Sequence, residues 1–296
     1  MNQEHRNTIC VEDAEVLLHT AFADEQFILR LAAPKCAERA KPGSFVHIQC
    51  AGDIPMRRPL SIMRANAQAG WIEVLYKVMG TGLKSLTISE PGDRLSIMGP
   101  IGNGFSLDPE RPRTVMIGGG VGIPPLVFLS EYIQQGGWNN AQVSPVAFLG
   151  SELPFPFELT TGTVPLAGAP VSATAALNDL EKCAVPSRLA TLSGFEGCYS
   201  GYVTGLAREW LNTLTEDERA MITLYACGPE PMLDAVAKLA REFQLPSQLC
   251  LEEYMACAVG GCAGCAVQVM TETGPAMKRV CVDGPVFSGE AVYPPD

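Results

Sequence analysis

The chain has 296 residues, 47% of them hydrophobic, and a formal net charge of −11 from 32 acidic and 21 basic side chains. That is enough apolar material for one large or two to three ordinary domains, and the acidic balance excludes the electrostatic footprint of a nucleic-acid or anionic-membrane binder. Charged residues make up only 18% and aromatics 7%, against 29 Gly and 23 Pro, which disfavours coiled coil and predicts many turns between short elements.

The 11 Cys are an odd number, so a disulfide framework would leave one over, and the opening Met1-Asn2-Gln3-Glu4-His5-Arg6 carries no apolar signal core. The expectation is a reducing cytoplasm, where thiols serve as apolar filler, as metal or cluster ligands, or in catalysis. Uncharged runs at 114–130, 159–178 and 254–271 are too rich in Gly, Pro, Thr or Cys to read as spanning helices of about 20 apolar residues.

The first hundred residues read as β structure. Phe27, Leu29 and Leu31 alternate, as do Val46, Ile48 and Cys50, and Ile72, Val74, Tyr76 and Val78, while Leu95 and Ile97 follow a Pro91-Gly92 turn. Short strands with little amphipathic helix between them predict a small antiparallel barrel. Gly99-Pro100-Ile101-Gly102-Asn103-Gly104-Phe105, followed by Asp108-Pro109 and Arg111-Pro112, marks the best domain boundary. A plain connector and a ligand-contacting segment are both open readings of it.

From Arg113 strands and helices alternate. A β-rich run at 114–118 meets Gly118-Gly119-Gly120-Val121-Gly122-Ile123-Pro124-Pro125, which opens a helix over 126–135. Strands follow at 143–150 and 221–227, and Gly228-Pro229-Glu230 leads into a helix with Met232, Val236, Leu239 and Phe243 on one apolar face. This succession predicts a parallel α/β sheet. Residues 151–200 have no readable periodicity. After Leu245-Pro246, Leu249 and Leu251 mark a short strand.

Cys257, Cys262, Cys265 and Cys281 then fall as C-x4-C-x2-C-x15-C. The first three match the plant-type run that holds a [2Fe-2S] cluster, with the fourth thiolate arriving from farther along. Ala258, Val259, Gly260, Gly261, Ala263 and Gly264 between them are small, so the loop can wrap tightly and turn backbone N–H groups toward sulfur. A four-cysteine zinc site and a thioredoxin-like dithiol are the alternatives; zinc sites commonly pair two C-x2-C knuckles, and here there is one.

The glycine run departs from G-x-G-x-x-G, with Ile123 or Pro125 where the third Gly belongs, yet it lies after a strand and before a helix, the place for a phosphate. A tight turn is the other reading. Cys227-Gly228-Pro229-Glu230 also joins a strand to a helix, where open α/β sheets bind ligands. Arg57-Arg58-Pro59-Leu60-Ser61 places cations and a hydroxyl on a strand, suited to a diphosphate or to a solvated face.

Taken in order, these segments resemble the ferredoxin-reductase superfamily, and within it the family of electron-transfer subunits of class 1B dihydroorotate dehydrogenases. Arg58-Pro59-Leu60-Ser61 is similar to the family's flavin motif, Leu75-Tyr76-Lys77 to its second flavin segment, and Gly80-Thr81-Gly82-Leu83 to the third, with Leu83 departing from the usual Thr. Gly118, Gly119, Gly120 and Gly122 resemble its nicotinamide-nucleotide loop, and Cys227, Gly228, Pro229 and Glu230 its motif near the nicotinamide and flavin rings.

The resemblance implies a multi-domain β plus α/β protein: an antiparallel FAD-binding barrel over 1–109, a parallel-sheet NAD-binding domain over 110–246, and a small [2Fe-2S] domain over 247–296 held by Cys257, Cys262, Cys265 and Cys281. It implies electron transfer between NAD(H) and an FMN-containing dihydroorotate dehydrogenase catalytic subunit through FAD and the cluster, in pyrimidine biosynthesis, within a heterotetramer of two plus two chains. Cys227 is then expected beside the reacting carbon. Ser151 and Glu152, with no Arg among them, favour NADH over NADPH. The same motifs occur in other flavin and iron–sulfur reductases, linked to ferredoxin or sulfide. A redox-sensing protein without turnover is the reading from a different class.

Overall fold

The computed structural model describes residues 9–52, 54, 56–140 and 143–295; the opening residues 1–8, read above for a signal core, lie outside these. Six antiparallel strands close a barrel: β1 (Cys10–Phe22), β2 (Gln26–Ala32), β3 (Phe45–Ile48), β4 (Arg58–Asn66), β5 (Trp71–Lys77) and β6 (Arg94–Ile101), in the order β1-β2-β5-β4-β3-β6. The alternation in the sequence fills its interior, with Leu29, Leu31, Val46, Ile48, Ile72, Val74 and Ile97 in one buried cluster. Two short helices, α1 (Pro34–Arg39) and α2 (Gly80–Leu86), complete it.

The second unit is a seven-stranded sheet. Its strands are β7 (Arg113–Gly119), β8 (Val146–Gly150), β11 (Ser187–Thr191), β12 (Tyr199–Ser200), β13 (Ile222–Cys227), β14 (Ser247–Cys250) and β17 (Val286–Ser288), ordered β12-β11-β8-β7-β13-β14-β17. All neighbours are parallel except β14 and β17. β9 (Leu159–Thr161) pairs antiparallel with β10 (Ala175–Leu177), which packs on β11, and β15 (Ala266–Thr271) pairs with β16 (Gly274–Arg279) in the tail.

Helix α3 (Ile123–Gln134) starts three residues before the expected 126, because Pro124 and Pro125 fit its first turn. It is buried nearly all round: Phe128 enters the barrel core, whereas Leu126, Val127 and Leu129 join the sheet core. Helix α4 (Gly137–Asn140) follows, and α5 (Asn178–Lys182) packs on α3. The opposite face carries α6 (Val203–Asn212) and α8 (Glu230–Glu242), with α7 (Glu216–Ala220) leading into β13 and α9 (Gly289–Val292) at the end. On α8 the buried face is Leu233, Val236, Ala237, Leu239 and Ala240. Met232 and Phe243, expected on this apolar face, are half-buried at its edges, Met232 because it leans over two glycine loops.

The last segment is spliced into this sheet. Of the residues after Pro246, β14 extends the parallel array beside β13, and β17 returns antiparallel to β14 with Cys250 opposite Val286. The four-cysteine segment is therefore a long excursion between two adjacent strands.

Candidate functional site

At the C-terminal ends of the central strands, Gly118 of β7, Cys227 of β13 and Cys250 of β14 stand side by side in register. Open α/β sheets bind ligands in the crevice beyond such ends. Two loops leave from here and pack flush. A Cβ on Gly122 would run into the Cys227 carbonyl and Gly228 N, and one on Gly118 would meet Leu126 and Leu149 at 2.9 Å. Gly120 has φ +54°, the left-handed turn into α3. Gly119 and Gly228 both lie beneath the Met232 side chain. Pro229 and Glu230 open α8 and are exposed.

Cys227 itself faces no open surface. It is fully buried beside Cys250, and that thiol's hydrogen bond, together with burial, pushes its pKa well above the ordinary thiol value. It remains a protonated thiol, without the reactivity that a lowered pKa confers. At the end of β8, the Glu152 carboxylate accepts from Leu192 N–H at 3.2 Å.

In the barrel the paired arginines have different tasks. Arg57 is committed to the fold, donating to Ser96 O at 2.7 Å and Ser96 Oγ at 2.8 Å. Among the described residues Arg58 makes only local bonds, to the carbonyls of Met56 (2.6 Å) and Arg57 (3.2 Å), and no carboxylate pairs with it. Its guanidinium lies over Gly82, where a Cβ would be 2.7 Å from Nε. Ser61, Pro59 and Leu83 are half-buried nearby in sequence, whereas Leu60 is in the barrel core. Leu75 and Tyr76 are buried and Lys77 is half-buried. The Tyr76 ring stacks on Phe27 and its hydroxyl meets His19 Nε2 at 2.9 Å, so that side chain is spent inside the barrel.

The four tail cysteines gather as two pairs. Cys265 and Cys281 are buried with their sulfurs 3.3 Å apart, and Cys257 lies against the exposed Cys262. Among the described residues no three His, Cys, Asp or Glu converge on a single ion. Two pairs are what a two-iron cluster with two thiolates per iron requires.

Ala258 (φ +53°), Gly260 (φ +80°) and Ala263 (φ +54°) take left-handed conformations, uncommon for alanine, and curl the loop into a nest of N–H donors. Cys262 N–H reaches Cys257 Sγ and Gly264 N–H reaches Cys262 Sγ, each at 3.4 Å. Burial raises the Cys257 thiol, but backbone N–H groups of Val259, Cys262 and Gly261 and the Cys262 thiol bring it down to about 7. Burial and the Cys265 thiol push Cys281 up to about 12, an expense that a bound metal removes by taking the thiolate. The residues fit the group.

Residues 252–293 match the iron–sulfur cluster binding domain of dihydroorotate dehydrogenase B. The fold is similar to that of an NADH-dependent reduced ferredoxin-NADP oxidoreductase, with TM-score 0.75 and 24% identity over 95% of this chain and 90% of that one. It is also similar to the ferredoxin reductase of carbazole 1,9a-dioxygenase, with TM-score 0.60 and 19% identity over 80% and 67%. The class is thus a ferredoxin-reductase fold carrying a C-terminal iron–sulfur binding segment.

The chain belongs to the family of dihydroorotate dehydrogenase B (NAD(+)) electron transfer subunits. It is 31% identical to that of Desulforamulus reducens over 94% of this chain and 96% of the relative, and 33% identical to that of Geobacillus thermodenitrificans over 95% and 98%.

Proposed function

We propose that this chain links NAD(H) to a partner FMN-containing dihydroorotate dehydrogenase catalytic subunit, through FAD and a [2Fe-2S] cluster, in pyrimidine biosynthesis. The observation that carries this reading is the splice of a two-pair cysteine nest into the sheet edge next to the glycine crevice. A flavin supplies the exchange between two-electron hydride chemistry and one-electron transfer that a nicotinamide and a cluster need between them.

Arg58, with Ser61 and the Gly82 backbone, would hold the FAD diphosphate; Pro59, Leu60, Leu75, Tyr76, Lys77 and Leu83 would shape the flavin's bed, Leu60 and Tyr76 from beneath. Gly118, Gly119, Gly120 and Gly122 would admit the nicotinamide dinucleotide to the backbone, with Gly228, Pro229 and Glu230 as the facing wall and Cys227 as a buried, neutral floor. Glu152 at the end of β8 supports NADH, since a carboxylate suits a ribose hydroxyl and repels a 2′-phosphate. Cys257, Cys262, Cys265 and Cys281 would ligate the cluster. Electrons would leave past the exposed Cys262, and the exposed Tyr254 (91%) and Val259 (51%) of the same segment would offer a partner apolar surface.

Among the described residues no helix is long and apolar enough to cross a membrane. A cytoplasmic complex of two plus two chains is the expected assembly.

The test is anaerobic co-purification with the FMN-containing catalytic subunit, analysis for iron, sulfide and flavin, and an assay of orotate formation with NAD. Cys262→Ser should abolish dihydroorotate-coupled turnover while NADH still reduces dyes. Zinc without flavin, or a flavin that stays oxidised under NADH, would defeat the reading.

A further inference from the structure

The segment between barrel and sheet is more than a connector. Gly102 (φ +94°) lies against the tail, where a Cβ would strike Pro285, and Gly104 lies against the barrel loop, where one would strike the Pro42 carbonyl. Between them Asn103 is clasped by the tail. Its N–H donates to Gly284 O at 2.6 Å, its carbonyl accepts from Val286 N–H at 3.4 Å, and it forms a bridge with Pro285. Its side-chain amide Nδ2 donates to both Val282 O and Asp283 O at 3.1 Å. Among the described residues Asn103 Oδ1 is buried without a partner, an unfavourable state that persists only if the two donated bonds outweigh it.

Those two carbonyls belong to the turn immediately after Cys281. In the same turn the Asp283 carboxylate accepts from Arg279 N–H at 2.7 Å, and Arg279 Nη1 donates to Gly260 O at 3.0 Å. Gly260 lies between Cys257 and Cys262, and its own N–H points at Cys281. A continuous chain of bonds thus runs from the barrel's exit through Asn103, the 282–283 backbone, Asp283 and Arg279 to the middle of the three-cysteine loop.

We propose that Asn103 is a positioning residue for electron transfer, its amide fixing the Cys281 turn, and with it the cluster, in orientation and distance relative to the barrel. The inference rests on the cluster assignment above. Groups that orient metal ligands from outside the first coordination sphere typically matter by about 10- to 100-fold, and reacting groups misplaced by about 1 Å lose rate on a similar scale.

The experiment uses the complete complex carrying Asn103→Leu, which keeps the branched side-chain skeleton and removes both donors, and Asn103→Ser, which keeps one donor. Three quantities are read: flavin bleaching by NADH, the rate at which the cluster follows, and the electron paramagnetic resonance spectrum of the reduced cluster. The expected result is unchanged flavin bleaching, cluster reduction slowed about 10- to 100-fold in Asn103→Leu with a shifted spectrum, and an intermediate rate in Asn103→Ser. Should Asn103→Leu lose its cluster, an intermediate Asn103→Ser still bears the proposal out. Wild-type spectra and rates in both variants, or in Asn103→Ser where Asn103→Leu has lost its cluster, would overturn it. Failure of the cluster assignment is separate, since it shows as wild-type protein without iron and sulfide.

Discussion

His47 sits in β3 fully buried, its ring facing the backbone of Met255 and Arg57, and among the described residues neither ring nitrogen makes a well-formed hydrogen bond. Burial, followed by the nearby Arg57 cation, lowers its pKa to about 4 from an ordinary 6.5. The unfolded chain therefore takes up the proton first on acidification. Stability is complete above the unfolded value and is lost as pH falls toward the folded one, by on the order of 2 kcal/mol between about pH 7.5 and about pH 5. Urea midpoints at the two pH values, compared with those of His47→Leu, should show a shallower pH dependence in the variant. An equal slope would remove His47 as the cause. Other properties of single residues are equally invisible in one dimension. Arg57 and Arg58 are adjacent and chemically identical, and only the approach of Ser96 to one of them separates the residue committed to the fold from the one that makes local bonds alone. The burial of Cys227 depends in the same way on Cys250, its neighbour across the sheet.

Between elements, the barrel and sheet are joined by one cation. Arg64 of β4 bonds Glu73 of β5 at 3.1 Å, Glu131 of α3 at 2.6 Å and Asp179 of α5 at 2.6 Å, while Arg30 shares Glu73 at 2.7 Å. Burial raises the Glu131 carboxyl despite the Arg64 charge beside it. Arg64→Leu would leave these carboxylates short of their cation, at a cost of about 3 kcal/mol measurable by urea unfolding. Arg64→Leu with Glu131→Leu should recover part of that loss, because an apolar pair in place of a buried ion pair is commonly tolerated. A double variant no more stable than the single one would count against Arg64 and Glu131 acting as a pair. The barrel strands and α8 could be read from alternation and from apolar spacing because each buries one face. Residues 151–200 could not, since β9, β10 and β12 are two or three residues long, too short to carry a period. Helix α3 is buried over most of its surface because it is a middle layer, and so its pattern says helix without saying what it packs against.

For the molecule as a whole, the decisive arrangement is that the segment 251–285 departs from β14 and returns in β17, its immediate neighbour. The cysteine spacing drew attention to the four thiols of the tail, but nothing local disclosed that the chain re-enters the same sheet, because β17 is a three-residue strand whose partner lies far back along the chain. Both ends of the excursion are pinned by sheet hydrogen bonds, about 5 Å apart. Stripping the iron anaerobically with a chelator should accordingly raise backbone hydrogen exchange within 251–285 and leave the barrel and central strands protected. Loss of protection throughout the sheet would contradict this. A redox centre carried on such a closed loop is a serviceable part: oxidative damage to the cluster would release slack in one place without loosening the frame, and rebuilding it would require no refolding of the rest.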